Sequence, residues 1–186
     1  MHPRTRELMD HLDSQRAILR AAFDAVPAGA RDRPPASDRW SPAEIVEHLA
    51  LVEQRVGSAL AARIASARAE GLGVDPSNEP VLPTLDLERV ASRRTRVNAP
   101  ETSHPSGLDA ETAWAALERA GTAVRETLRS ADGLALGTIT HPHPFFGSLS
   151  LYEWFALIGS HEARHAAQIR EIVELSAAQS PASQPS

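Results

Sequence analysis

The chain has 186 residues, the length of one domain, and 42% hydrophobic residues suffice for one sizeable core. A net charge of -5, with 19 basic residues that are all arginine, leaves no basic face to neutralise phosphates and excludes nucleic acid as a partner. The count of zero cysteines excludes disulfides, a protein thiolate nucleophile and Cys-ligated metals, so any metal must rest on His, Asp or Glu.

The N-terminus, Met1-His2-Pro3-Arg4-Thr5-Arg6, lacks the apolar stretch of a signal peptide, and no run approaches the ~18 apolar residues of a membrane span. A cytoplasmic protein without a membrane partner is expected. From Arg4 to Val26 the apolar Leu8, Leu12, Leu19, Ala22 and Val26 recur at helical spacing until Pro27-Ala28-Gly29 stops the pattern. Ser41-Pro42-Ala43-Glu44 reads as a capping box, with proline at the first helical position, where its missing N–H costs nothing. The second helix that starts there carries Ile45, Leu49, Val52, Val56, Ala59, Leu60 and Ile64 on one face and ends near Gly71. Between residues 71 and 107 the density of Gly, Pro, Asn and Ser forbids a long regular element, although Leu85 to Arg94 can form a short helix. A connection this long inside a compact domain is usually functional or a covering segment.

Asp109 caps a third helix whose apolar side runs through Trp114, Leu117, Gly121, Val124 and Leu128, and Asp132-Gly133 closes it. After the turn His141-Pro142-His143-Pro144-Phe145-Phe146-Gly147, Ser150-Leu151-Tyr152-Glu153 is another S-x-x-E start. The fourth helix carries Leu151, Trp154, Phe155, Ile158, Ile169, Ile172 and Val173 inward. No strand pattern and no internal repeat is evident. The expected architecture is all-α, a four-helix bundle with a long connection between the second and third helices. It occupies residues 1–176, and a disordered tail without apolar bulk follows over 177–186.

His161-Glu162-Ala163-Arg164-His165 is a formal match to the zinc-protease pattern H-E-x-x-H. Steps of three and four from Ile158 lead to His161, His165 and Ile169, and Ile45, His48 and Val52 continue a stripe of the same kind, so three imidazoles face one interior. Histidines at i and i+4 lie about one turn apart, and their ring nitrogens can converge on one ion. A single inward histidine is ordinarily a hydrogen-bonded core residue. Burying three without partners costs about 1–3 kcal/mol each, whereas one divalent cation satisfies all of them.

The peptidase reading fails because position 168 is Gln, position 171 is Glu, and too little chain remains for a third ligand downstream. An all-helical chain also has no sheet edge to align a peptide. Glu162 is turned ~100° around the helix from His161. It keeps a small claim as general base and otherwise reads as a flanking bundle or surface carboxylate. Gln15, on the inward stripe of the first helix, is a core amide or a group that orients a ligand. Glu44 caps its helix rather than accepting from His48, and Gln168 either fixes the His165 tautomer or bonds across helices. His141 and His143 can reach the mouth of the site but stay outside the ligand set. Arg93-Arg94-Thr95-Arg96 reads as a solvated face, with attraction of an anion as the alternative.

On Arg39-Trp40-Ser41-Pro42-Ala43-Glu44-Ile45-Val46-Glu47-His48-Leu49, Ala99-Pro100-Glu101, His143-Pro144-Phe145-Phe146-Gly147, Leu151-Tyr152-Glu153-Trp154 and His161-Glu162-Ala163-Arg164-His165-Ala166-Ala167-Gln168-Ile169, the chain resembles the DinB-like superfamily of metal-binding four-helix bundles. The stretches span most of its length. The specific signal is W-S-x-x-E-x-x-x-H-L combined with H-x-x-x-H-x-x-Q-I. The resemblance implies an up-down-down-up bundle and a divalent metal held by His48, His161 and His165. It also implies kinship with transferases and isomerases that use low-molecular-weight thiols, and with metal-dependent hydrolases. Many members have no assigned reaction, and the family name, taken from DNA-damage induction, implies no DNA contact. A homodimer is expected by family analogy alone.

Three neutral imidazoles leave the full +2 charge on a metal. A bound water can then fall from a pKa of 15.7 to about 7, and an exogenous thiol would bind as thiolate. Zinc is the first choice of metal and nickel the second. The open coordination positions are expected to face the bundle centre, walled by the first and third helices. The expected function is a divalent-metal-dependent enzyme that transfers a low-molecular-weight thiol to an electrophilic small molecule. A metal-dependent hydrolase of a small molecule and a non-catalytic, metal-stabilised bundle are the alternatives.

Overall fold

Each of the four helical patterns becomes a helix in the computed structural model, which describes residues 1–87 and 100–179: α1 (Pro3–Asp24), α2 (Pro42–Ala69), α3 (Ala110–Ser130) and α4 (Leu151–Gln179). The caps form as their residues dictate. Ser41 Oγ accepts from Glu44 N at 3.1 Å while Glu44 Oε2 accepts from Ser41 N at 2.7 Å, and Asp109 accepts from Thr112 N at 2.9 Å. Ser150 and Glu153 repeat the reciprocal box at the start of α4, at 2.6 and 3.2 Å.

α1 packs chiefly on α4, and α2 on α3. Just beyond the C-termini of α2 and α3, Val74 pairs with Leu134, and Arg68 donates to the Ser130 carbonyl. These two helices therefore end together and run parallel. α1 starts at the same end, where His2 N donates to Asp132 at 2.8 Å. So does α4, whose Tyr152 hydroxyl donates to the Leu134 carbonyl at 3.1 Å and to Asp75. The bundle is thus up-down-down-up. Parallel neighbours cannot be joined by a tight turn, so the chain needs the long return over residues 70–109.

Two apolar clusters fill the interior. One is built around Leu8, Leu12, Leu60, Leu128 and Phe155, the other around Leu19, Phe23, Leu49, Leu117 and Ile169. α2 meets α3 on one side and α4 on another, so it buries Val46, Glu53 and Gly57, whereas Val52, Val56 and Ala59 stay half-buried.

Against the expectation of no strand, β1 (Thr140–His143) and β2 (Gly147–Ser150) form an antiparallel hairpin, with Thr140 opposite Ser150 and His143 opposite Gly147. Four-residue strands are too short to show alternation, and Pro142 masks the first. α4 continues to Gln179, three residues into the stretch expected as tail, and residues 180–186 lie outside the described residues. The short helix expected over Leu85 to Arg94 falls mostly outside them too, with Leu85 itself extended, as does the cluster Arg93-Arg94-Thr95-Arg96. Among the described residues no helix is long and apolar enough to cross a membrane.

Candidate metal centre

His48 lies two turns into α2. Its Nδ1 is 2.8 Å from the Ser103 carbonyl oxygen, which can only accept, so Nδ1 carries the hydrogen and Nε2 has a bare lone pair. One turn past His165 in α4, Gln168 Oε1 does the same for the His165 Nδ1 at 2.9 Å, which resolves the role of that glutamine within its own helix. The Nε2 atoms of His161 and His165 are 3.0 Å apart. One ring nitrogen from each of His48, His161 and His165 lies within 4.8 Å of the other two, and the rings meet edge to face, with centroids 4.6 to 5.4 Å apart.

His48 and His165 are buried and His161 is half-buried. Burial pushes all three toward neutrality. His161 falls to about 3, helped by the nearby His48, Arg164 and His143. His165 falls well below the usual histidine value, first by burial and then by His161 and His48. For His48 the Ser103 carbonyl offsets part of the drop.

These residues fit a divalent cation. Without one, the short Nε2 contact requires His161 to place its only proton toward His165, and no described donor is shown for the His48 Nε2 lone pair. A cation at about 2.0–2.1 Å from each nitrogen satisfies all three, and neutral imidazoles need lose no proton to bind it. On the His48 side the connections supply aromatic neighbours. The Trp40 ring lies 4.9 Å from that of His48, and His104 stands edge-on to Trp40 at 6.0 Å.

His141 and His143 sit on β1, outside the triad. Nδ1 of His143 accepts from the N–H groups of Phe145 and Phe146 at 3.1 and 3.3 Å, so it is unavailable to a metal, while the His141 carbonyl accepts from Trp154 Nε1 at 3.0 Å. Gln15 is half-buried beside Gly159, and its neighbour Arg16 enters the core instead.

Glu162 is not a surface carboxylate. It is 0% exposed and takes Arg16 Nε and Nη2 at 3.0 Å each, while Glu53, 2% exposed, takes Nη2 at 2.9 and 3.1 Å. With its carboxylate committed to Arg16, Glu162 keeps no claim as general base. Burial, then the charge of Glu162, pushes Glu53 well above the carboxylate range. They share a trace in register, since Arg16, Glu53 and Glu162 lie at inward helical spacing from Leu12, Leu49 and Ile158.

A family model described as the DinB superfamily matches residues 11–169. The uncharacterized protein YuaE of Bacillus subtilis (strain 168) is 27% identical over 143 residues, covering 75% of this chain and 81% of the relative. A solved structure, TT2238, described as a four-helix bundle protein, superposes with a TM-score of 0.55 at 22% identity, covering 90% of this chain and 98% of that one, and it bears out the fold. With most of its length matched, bundle and histidine cluster included, the chain belongs to the DinB superfamily.

Proposed function

We propose that the protein is a divalent-metal-dependent enzyme whose centre is His48, His161 and His165, and that it transfers a low-molecular-weight thiol to an electrophilic small molecule. The observation that carries this reading is the convergence of three ring nitrogens with no fourth His, Asp or Glu in the group among the described residues. Structural zinc sites are closed by four protein ligands, and sites that keep three leave a position for a reactant. When bound, zinc, or nickel as second choice, would supply Lewis acidity and draw the pKa of a coordinated thiol or water toward neutrality. Ser103 and Gln168 hold two of the rings in the tautomer that leaves Nε2 free. Lacking cysteine, the chain must take its thiol from solution. Homodimerisation, by family analogy, and a cytoplasmic setting complete the reading.

A second reading is favoured by the placement of the triad. His48 belongs to the α2/α3 pair and the other two histidines to the α1/α4 pair, so a metal would also clamp the halves of the bundle together. Elemental analysis of untagged protein should find about one equivalent of a transition metal after repletion, and markedly less removes both readings. His48→Ala separates them. An enzyme loses turnover while circular dichroism stays native, whereas a clamp loses melting temperature and never shows turnover. Metal-loaded protein incubated with a thiol and an epoxide or halogenated acceptor should yield the thioether, and an alcohol or diol formed without thiol would instead identify a hydrolase.

A further inference from the structure

We propose that Glu47 is a positioning residue of the histidine triad: by gripping residues 106–108 it holds the Ser103 carbonyl where that oxygen fixes the His48 ring with Nε2 toward His161 and His165. Glu47 neighbours His48 in α2 but points about 100° away from it. It is 3% exposed and accepts four hydrogen bonds from one short segment. Ser106 N and Oγ donate to Oε1 at 2.7 and 2.6 Å, and Gly107 N and Leu108 N donate to Oε2 at 3.0 and 2.9 Å. Three successive backbone N–H groups converging on one carboxylate form an anion nest. It closes because Gly107 adopts φ +93°, a conformation that side chains with a Cβ rarely take.

Three residues upstream the segment is held again. Ser103 is 0% exposed, and its N and Oγ both donate to the Pro100 carbonyl, at 2.9 and 3.0 Å. Its own carbonyl therefore lies between a closed turn and the Glu47 grip, and the His48 Nδ1–H points at it. Glu47 thus governs the ring of its neighbour by a route through residues 103–108. Partners that orient a ligating histidine are worth about 10–100-fold in metal affinity.

The inference deepens the metal-centre reading, and its test separates the two. In chelator competition for zinc, Glu47→Gln should bind about 10–100-fold more weakly than wild type, because its amide NH2 faces N–H donors that an oxygen now satisfies. Gly107→Ala, whose added methyl meets nothing within 4 Å and acts only through backbone strain, should weaken zinc in the same direction and serves if the glutamine variant fails to fold. Glu7→Gln is the control. Glu7 also pins the long connection, accepting from Val81 N at 2.7 Å and Leu82 N at 3.2 Å, but in a part of the fold away from the triad, so it should lower melting temperature and leave zinc affinity unchanged. If the Glu47 and Gly107 variants hold zinc as wild type does, the inference is overturned. If wild type takes up no zinc, the metal reading falls. Nitrogen-15 spectra of the metal-free ring then decide the positioning role: His48 should be one Nδ1–H tautomer in wild type and a mixture in Glu47→Gln, and identical spectra would overturn it.

Discussion

Arg16 reaches from α1 to each of the other helices, to Glu53 on α2, to the Leu117 carbonyl of α3 at 3.3 Å and to Glu162 on α4. It lies between Leu12 and Leu19 in the chain, so the ionic layer it organises falls where the two apolar clusters meet. Removing the cation from such a layer costs about 3–5 kcal/mol because a carboxylate is left buried and unpaired. Arg16→Met should therefore lower the unfolding free energy by that much, read as a lower urea midpoint at an unchanged slope. Glu53→Gln should cost less than about 1 kcal/mol, since burial raises the carboxyl well above its usual range and so favours its neutral form, and the amide is a neutral group of the same shape that still accepts from Arg16. Equal losses in the two variants would mean that Glu53 is ionised. Helical register pointed to His48, His161 and His165, but it gives no way to tell a charged residue that finds buried partners from one that faces water. Arg16 had a trace nonetheless, in Gly121 on the inward stripe of α3. A Cβ there would come within 2.7 Å of the guanidinium, so the glycine makes room for it.

The elements were legible where their determinants are local. Ser41 with Glu44, and Ser150 with Glu153, are reciprocal bonds three residues apart, and both starts could be read from four letters. The hairpin could not. Its pairing of Thr140 with Ser150 spans a turn, and its strands include Pro142, a residue that ordinarily argues against a strand. The Glu47 nest and the Ser103 carbonyl were equally hidden, because their partners are more than fifty positions apart in the chain. Helix starts can be tested separately from the site. Ser41 is 1% exposed, and its replacement leaves the part-buried N–H of Glu44 without its side-chain acceptor. Ser41→Ala should cost about 1–2 kcal/mol, read calorimetrically as a fall of roughly 2–8 °C at 2–4 °C per kcal/mol for a chain of this size. Zinc affinity should stay within about twofold, since His48 is oriented by Ser103 rather than by the cap.

At the scale of the whole molecule, the triad and the ionic layer both span the seam between the α1/α4 and α2/α3 pairs. The seam should therefore respond to acid and to metal in different ways. The folded metal-free chain keeps His161 unprotonated down to about 3 and depresses His48 and His165, whereas unfolded histidines titrate near 6.5. Below pH 6.5 the unfolded state binds protons that the folded state refuses, so stability must fall as the pH falls through that value. The melting temperature of metal-free protein should accordingly drop between pH 7.5 and 6. Zinc that binds the native state alone, at a buffered free concentration a hundredfold above its dissociation constant, adds about 2.7 kcal/mol, or roughly 5–11 °C for this chain length. The depressed native imidazoles favour the neutral form and compete less with protons for the ion than free histidines do, so the zinc increment should hold nearly constant while the metal-free curve declines beneath it. An increment that shrinks toward pH 6 would mean that the folded triad titrates like free histidine. In that case the buried, neutral set of three ring nitrogens is not what the bundle builds.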